Sequence, residues 1–270
     1  MRVHHLDCGS LCPRGGHRLL GEGAQLACHC LLLELPDSLA LVETGLGTRD
    51  VQDPKRLGAL FRALVRPRLS MEETALARVR ALGFDPRDVR DVLITHLDLD
   101  HAGGLSDFPW ARLHVLGDEW RAAQNPPRRE RSRYRAVHWE HSPEVHEYTP
   151  EGEDFHGFAV ARELDGLPPE IVLVSLPGHS RGHAGIAIDE GDQTLLHCGD
   201  AYFHHAEMSL ADHPQRPWGL GVFQRAVAHD DALRRDTQAR LREALHAAGP
   251  KLRTTSAHDR SELRREQARG

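Results

Sequence analysis

The stretch Thr95-His96-Leu97-Asp98-Leu99-Asp100-His101-Ala102-Gly103-Gly104 decides how this chain is read. Four side chains able to bind metal, His96, Asp98, Asp100 and His101, fall within six residues. They follow the apolar run Val92-Leu93-Ile94, which reads as a strand. They precede a glycine pair that lets backbone pass close to whatever the side chains hold. Imidazole nitrogen and carboxylate oxygen are the donors that suit zinc, iron and manganese. A strand that ends in such a cluster predicts a metal site at a sheet edge.

The same logic recurs along the chain. Ile171 to Leu176 is a β-branched apolar run that ends at Pro177-Gly178-His179. Thr194 to Cys198 ends at Gly199-Asp200, and Leu252 to Ala257 ends at His258-Asp259. Strand ends that converge at one edge allow distant residues to build a rigid site. Together the clusters offer four histidines and three carboxylates, enough for two ions.

Further strands are expected at Val3 to Asp7, Leu26 to Leu35, Leu39 to Glu43 and His183 to Asp189. Helices are expected over Pro54 to Val65, Met71 to Leu82 and Asp230 to Ala248. The last carries Leu233, Leu241 and Leu245 as its apolar positions. Residues 125–154 are polar and rich in Arg, Pro and Glu, and read as an irregular insertion, a lid or a substrate-side loop. Within it, Arg128 to Arg135 reads as a solvated face or as a holder of anionic substrate. Strands with interspersed helices fit an α/β chain whose sheets pack face to face with helices outside, read as one domain, 1–270.

Composition narrows the function. The chain has 270 residues, enough to bury a core without disulfides. A net charge of −6 argues against general nucleic-acid or anionic-membrane binding. Five cysteines form no framework pattern and read as reduced thiols. Cys28-His29-Cys30 lies on a strand, where small buried thiols explain it better than a metal half-site. Trp110, Trp120, Trp139 and Trp218 are expected in the core, and His197 is expected to be structural. No stretch approaches ~18 apolar residues, so a soluble cytoplasmic protein is expected. The expected partners are a small-molecule substrate and, as an option, a second copy in a homodimer, with no nucleic acid and no membrane.

His-x-Asp-x-Asp-His, Pro-Gly-His-Ser-Arg-Gly-His, Cys-Gly-Asp and Ala-His-Asp, taken in order, resemble the metallo-β-lactamase fold superfamily across residues 26–259. The motif detail is most similar to its quorum-quenching lactonase branch. The resemblance implies an αββα four-layer sandwich with a binuclear metal site at one edge. His96, Asp98 and His179 would hold the first ion; Asp100, His101 and His258 would hold the second. Asp200 would bridge them, and His183 would support the ligands. Two divalent ions are implied, zinc first, with iron or manganese as alternatives. The implied activity is a metallohydrolase that cleaves a lactone or carboxylic ester with a metal-bridging hydroxide. Asp100 or Asp200 would move the proton, and Tyr202 is a candidate contact for the substrate carbonyl, although the lactonase tyrosine would fall at Phe203. Rival readings are a glyoxalase II-like thioesterase and a mononuclear iron persulfide dioxygenase.

Two residues depart from the superfamily pattern. Asp98 stands where a second histidine is usual, and Glu43 stands where a shorter Asp is usual. Asp98 leaves three readings open: a carboxylate ligand, a side chain too short to reach, or a hydrogen-bonder in another type of site. As a ligand it makes the inner shell one charge unit more negative than histidine would, which tilts preference toward harder ions.

Overall fold

The central strands are buried on both faces almost throughout, and the strands pair into two sheets. The computed structural model describes residues 1–17, 25–151, 154–161, 163–209 and 216–269. One sheet holds β1 (Arg2–Leu11), β2 (Leu26–Glu34), β3 (Leu39–Val42), β4 (Pro67–Arg68), β5 (Val89–Leu93), β6 (Arg112–Leu116) and β7 (Val145–Tyr148), in the order β4-β1-β2-β3-β5-β6-β7. The other holds β8 (Asp154–Phe155), β9 (Phe158–Ala161), β10 (Ile171–Ser175), β11 (Ala184–Asp189), β12 (Thr194–His197) and β13 (Leu252–Thr255), in the order β13-β12-β11-β10-β9-β8. The helices are α1 (Thr48–Gln52), α2 (Ala59–Leu64), α3 (Ala75–Ala81), α4 (Leu99–Ala102), α5 (Gly117–Gln124), α6 (Leu220–Val227), α7 (Asp231–Ala248) and α8 (Arg260–Gln267).

Alternate residues of each strand point to opposite faces. Leu31 and Leu33 of β2 meet Ile171 and Leu173 of β10 between the sheets. Cys30 and Leu32 point the other way, into a cluster with Val79 of α3 and Ala122 of α5. On the second sheet, Val172 and Val174 turn outward to Leu241 and Ala244 of α7. The layers therefore run helix, sheet, sheet, helix, the expected αββα sandwich. Each fully buried leucine contributes about 1.5–3 kcal/mol.

Some elements differ from expectation for local reasons. The helix expected over residues 54–65 is broken at Gly58, whose φ of 72° suits glycine, so a 3-10 turn at Pro54–Leu57 precedes α2. The expected excursion is partly regular: β7 pairs parallel with β6 at the sheet edge, while residues 152 and 153 lie outside the described ones. Trp139 is buried as expected, but Trp110 and Trp218 are exposed. Trp110 instead donates its indole N–H to the Val89 carbonyl at 3.0 Å. All five cysteines are free, and Cys28 and Cys30 are buried. Among the described residues, no helix is long and apolar enough to cross a membrane.

Candidate metal centre

The chain leaves β5 into a tight turn. The Asp98 carbonyl accepts from the N–H groups of His101 (3.1 Å) and Ala102 (2.9 Å), opening α4. The turn splays its four polar side chains into two groups. His96 Nε2 lies 3.4 Å from Asp98 Oδ2 and 3.7 Å from Asp200 Oδ2. His179 Nε2, from the end of β10, lies 3.1 Å from Asp98 Oδ2 and 3.3 Å from Asp200 Oδ2. On the other side, Asp200 Oδ1 lies 3.4 Å from His101 Nε2 and 3.1 Å from His258 Nε2. His258 Nε2 is also 3.6 Å from Asp100 Oδ2. Asp200 thus turns one oxygen to each group. Donor atoms of His96, Asp98, His179 and Asp200 all lie within 4.8 Å of one another, as do those of Asp100, His101 and His258. The seven residues singled out in the sequence are brought together.

The far side of each ring sets its tautomer. His258 Nδ1 is 2.7 Å from the Ala27 carbonyl, which only accepts, so the proton sits there and Nε2 presents a lone pair. His101 Nδ1 is 2.7 Å from Glu43 Oε2 and is fixed the same way. Glu43 Oε1 accepts the Thr95 N–H at 2.6 Å. One long carboxylate therefore ties the end of β3 to the metal-facing turn and orients His101. His183 donates from Nδ1 to the Leu176 carbonyl at 2.9 Å and accepts the Asp200 N–H on Nε2 at 3.0 Å. Burial pushes it down to about 3, so it is neutral and holds Asp200 in place as expected.

Burial opposes charge on all these groups, yet at several it loses. Asp200 and Glu43 push His101 well up despite its burial, and Asp200 and Asp100 raise His258. Burial also works against the Asp98 carboxylate, but Arg133 and His96 hold it well below the usual range. At His96 burial prevails and holds the ring well below its ordinary value. His96 Nε2, His101 Nε2 and Asp200 Oδ1 are buried and make no hydrogen bond. Each such unpaired group costs about 1–3 kcal/mol. Divalent ions held in the two groups would satisfy all three, and the imidazole and carboxylate donors fit them.

Tyr202 must be corrected. Its ring is fully buried, and its hydroxyl is 3.0 Å from Glu262 Oε2 and 3.2 Å from Thr254 Oγ1, behind the site. It is spent on packing α8 against β13 and does not line the cavity. Phe203 lines the cavity instead and packs its ring 4.8 Å from His258.

Two residues escaped the sequence reading. Glu119, at the start of α5, accepts the Leu97 N–H at 3.0 Å, the Ser180 hydroxyl at 2.7 Å and the Gly182 N–H at 3.0 Å. It ties the loop bearing His96 to the one bearing His179. Arg133 places Nε 3.2 Å from Asp98 Oδ1 and donates to the His179 carbonyl at 2.7 Å. The only sequence signal was its place in an arginine run.

A cavity of about 690 Å³ opens above this cluster, with Asp98, Asp100, His179, Asp200 and His258 on its floor. Leu57, Leu60, Phe61, Leu64 and Val65 form one wall, Phe203, Phe223 and Val227 another, and Arg129 and Arg135 also line it.

A buried histidine–aspartate cluster at one edge of an αββα sandwich defines a class of metal-binding hydrolases. The sequence profile of the Metallo-beta-lactamase superfamily matches residues 23–255, and the chain belongs to that superfamily. It is similar to a probable metallo-hydrolase of Mycobacterium tuberculosis, 42% identical over 260 residues, covering 96% of this chain and 80% of that protein. It is similar to an N-acyl homoserine lactonase of Bacillus cereus, 26% identical over 179 residues, covering 65% of this chain and 64% of that protein. A solved structure of an N-acyl homoserine lactone hydrolase, with N-hexanoyl-L-homoserine bound at its catalytic metal centre, superposes with a TM-score of 0.69 at 18% identity, covering 97% of this chain and 95% of that one.

Proposed function

We propose that residues 1–270 act as one two-metal hydrolase that opens lactones or cleaves carboxylic esters bearing an apolar acyl group. The observation that carries this reading is a buried histidine–carboxylate cluster at the floor of an apolar-walled cavity. The likeness to N-acyl homoserine lactonases supports it. His96, Asp98 and His179 would hold one ion, and Asp100, His101 and His258 the other, with Asp200 between. Zinc is the first choice, then iron or manganese. Two bound ions would supply a hydroxide nucleophile near neutral pH and polarise the substrate carbonyl.

The chain's own residues do the rest. Asp100 lines the cavity and is placed to carry a proton to the departing alkoxide. Asp200 also reaches the cavity, but both its oxygens face histidines, so it holds the two halves together. Glu43 and His183 keep His101 and Asp200 aimed. Leu60, Phe61 and Phe223 offer the surface that an acyl chain would cover.

Metal analysis of protein purified without added metal, paired with turnover of acyl homoserine lactones, aryl esters and S-lactoylglutathione, tests this. Two metal equivalents and a preference for lactones or esters are expected. A hundredfold preference for the thioester would overturn it in favour of the second reading, a glyoxalase II-like thioesterase. That reading draws on Arg129 and Arg135, two cations lining the cavity that suit an anionic thiol adduct.

A further inference from the structure

We propose that Arg133 is the positioning residue that lets Asp98 take the place of a histidine in the first metal half-site. The proposal rests on the two-metal reading above and concerns how this chain holds the first ion.

The two oxygens of Asp98 face different partners. Oδ2 lies 3.1 Å from His179 Nε2 and 3.4 Å from His96 Nε2, on the side where an ion would sit. Oδ1 faces Arg133 Nε at 3.2 Å. With one oxygen ion-paired to the guanidinium, without a hydrogen bond between them, the carboxylate presents the other as a single donor, as an imidazole would. Arg133 does not depend on Asp98 for its own place. Its Nη1 donates to the His179 carbonyl at 2.7 Å and its Nη2 to the Val227 carbonyl. The side chain is close to fully buried, at 12% exposure. A guanidinium that donates to two carbonyls and is ion-paired with Asp98 is a poor clamp for a substrate anion, although it borders the cavity.

Charge points the same way. Arginine stays protonated in proteins. Asp98 and Arg133 together are therefore neutral, like the imidazole they replace. The extra negative charge expected from Asp98 alone is offset, and with it the reason to favour harder ions over zinc. The arrangement is also one-sided. Arg133 contacts Asp98 and the backbone of His179, both of the first group, and has no hydrogen bond or ion pair to Asp100, His101 or His258 among the described contacts. Its loss should therefore weaken one ion and spare the other.

The test is zinc and manganese titration of the full chain against a competing chelator, for wild type, Arg133→Met, Asp98→His and the double variant. Arg133→Met is expected to weaken one of two equivalents by about 10–100-fold and leave the other unchanged. Asp98→His alone strands a buried guanidinium and is expected to lower the melting temperature. Asp98→His with Arg133→Met is expected to restore two tight equivalents, because a neutral imidazole needs no counter-charge. Two equivalents of wild-type affinity in Arg133→Met, equal loss of both, or a double variant no better than Arg133→Met would overturn the proposal. Where Arg133→Met does not fold, the double variant decides. A folded double with two tight equivalents supports the pairing, and an unfolded one shows that the fold, not Asp98, needs the guanidinium. Absence of lactone and ester turnover in wild type holding two equivalents overturns the functional reading and leaves this one standing.

Discussion

A second group of histidines lies inside the same sandwich. His5 of β1, His29 of β2 and His197 of β12 share the inner faces of their strands with Val3, Leu31 and Leu195. His5 Nδ1 is 2.9 Å from His29 Nε2, and the His29 and His197 rings are 5.4 Å apart. His29 and His197 are fully buried and His5 partly so, but the hydrogen-bond partners of the group are another imidazole and the Thr255 hydroxyl. Burial pushes His5 down to about 4 and His197 down to about 3. At His101 and His258 the same burial is overridden, because Asp200 faces both rings. Histidine density does not make a cation site here; a carboxylate set between the rings does.

That contrast breaks most sharply at Asp200. Asp200→Asn is expected to lower hydrolysis by about a thousandfold or more, the several kcal/mol that metal ions supply to the transition state. Metal content measured alongside should fall with it, and retention of both equivalents at wild-type activity would refute the bridging role. Glu43 supports the same group from behind. Glu43→Gln is expected to weaken metal binding by about 10–100-fold in chelator competition, with turnover recovering at high metal.

The second group should respond to pH instead. Its folded pKa values lie below the ordinary 6.5, so the folded state binds fewer protons than the unfolded one. The stability it contributes is complete above about pH 6.5 and is lost as pH falls through about 4 and 3. His197→Leu should flatten the acid side of a urea-unfolding series across that window and leave metal content unchanged. An unaltered acid limb, or lost metal, would erase the distinction between the two groups. The smallest effect is expected at Phe203, which lines the cavity beside His258. Phe203→Tyr adds a hydroxyl to the cavity lining beside His258 and is expected to raise kcat/KM for lactones about two- to tenfold, the worth of one hydrogen bond.

The sandwich and the seven clustered histidines and aspartates were legible because each follows closely on an apolar run that folds as a strand. Position in the chain and position in space coincide there. Arg133 was not legible, because its partners Asp98 and His179 lie far off in sequence and its neighbours are exposed arginines that look alike on paper. Tyr202 misled for a different reason. A shift of one residue after Asp200 decides which ring enters the cavity, and only the buried Glu262 and Thr254 reveal that the tyrosine turns away. The break at Gly58 was missed because an apolar stripe says nothing about a positive φ.

The bond from His258 Nδ1 to the Ala27 carbonyl joins residues 231 positions apart. It also sets an order of assembly during synthesis. A ribosome that has made the chain through Asp200 has joined every member of the centre but His258. The first group is then complete, while the second waits for α7 and β13 to be made and for β13 to align beside β12. The two halves of one centre therefore differ in age within each newly made molecule, and a chain cut short between Asp200 and His258 keeps only the older half whole.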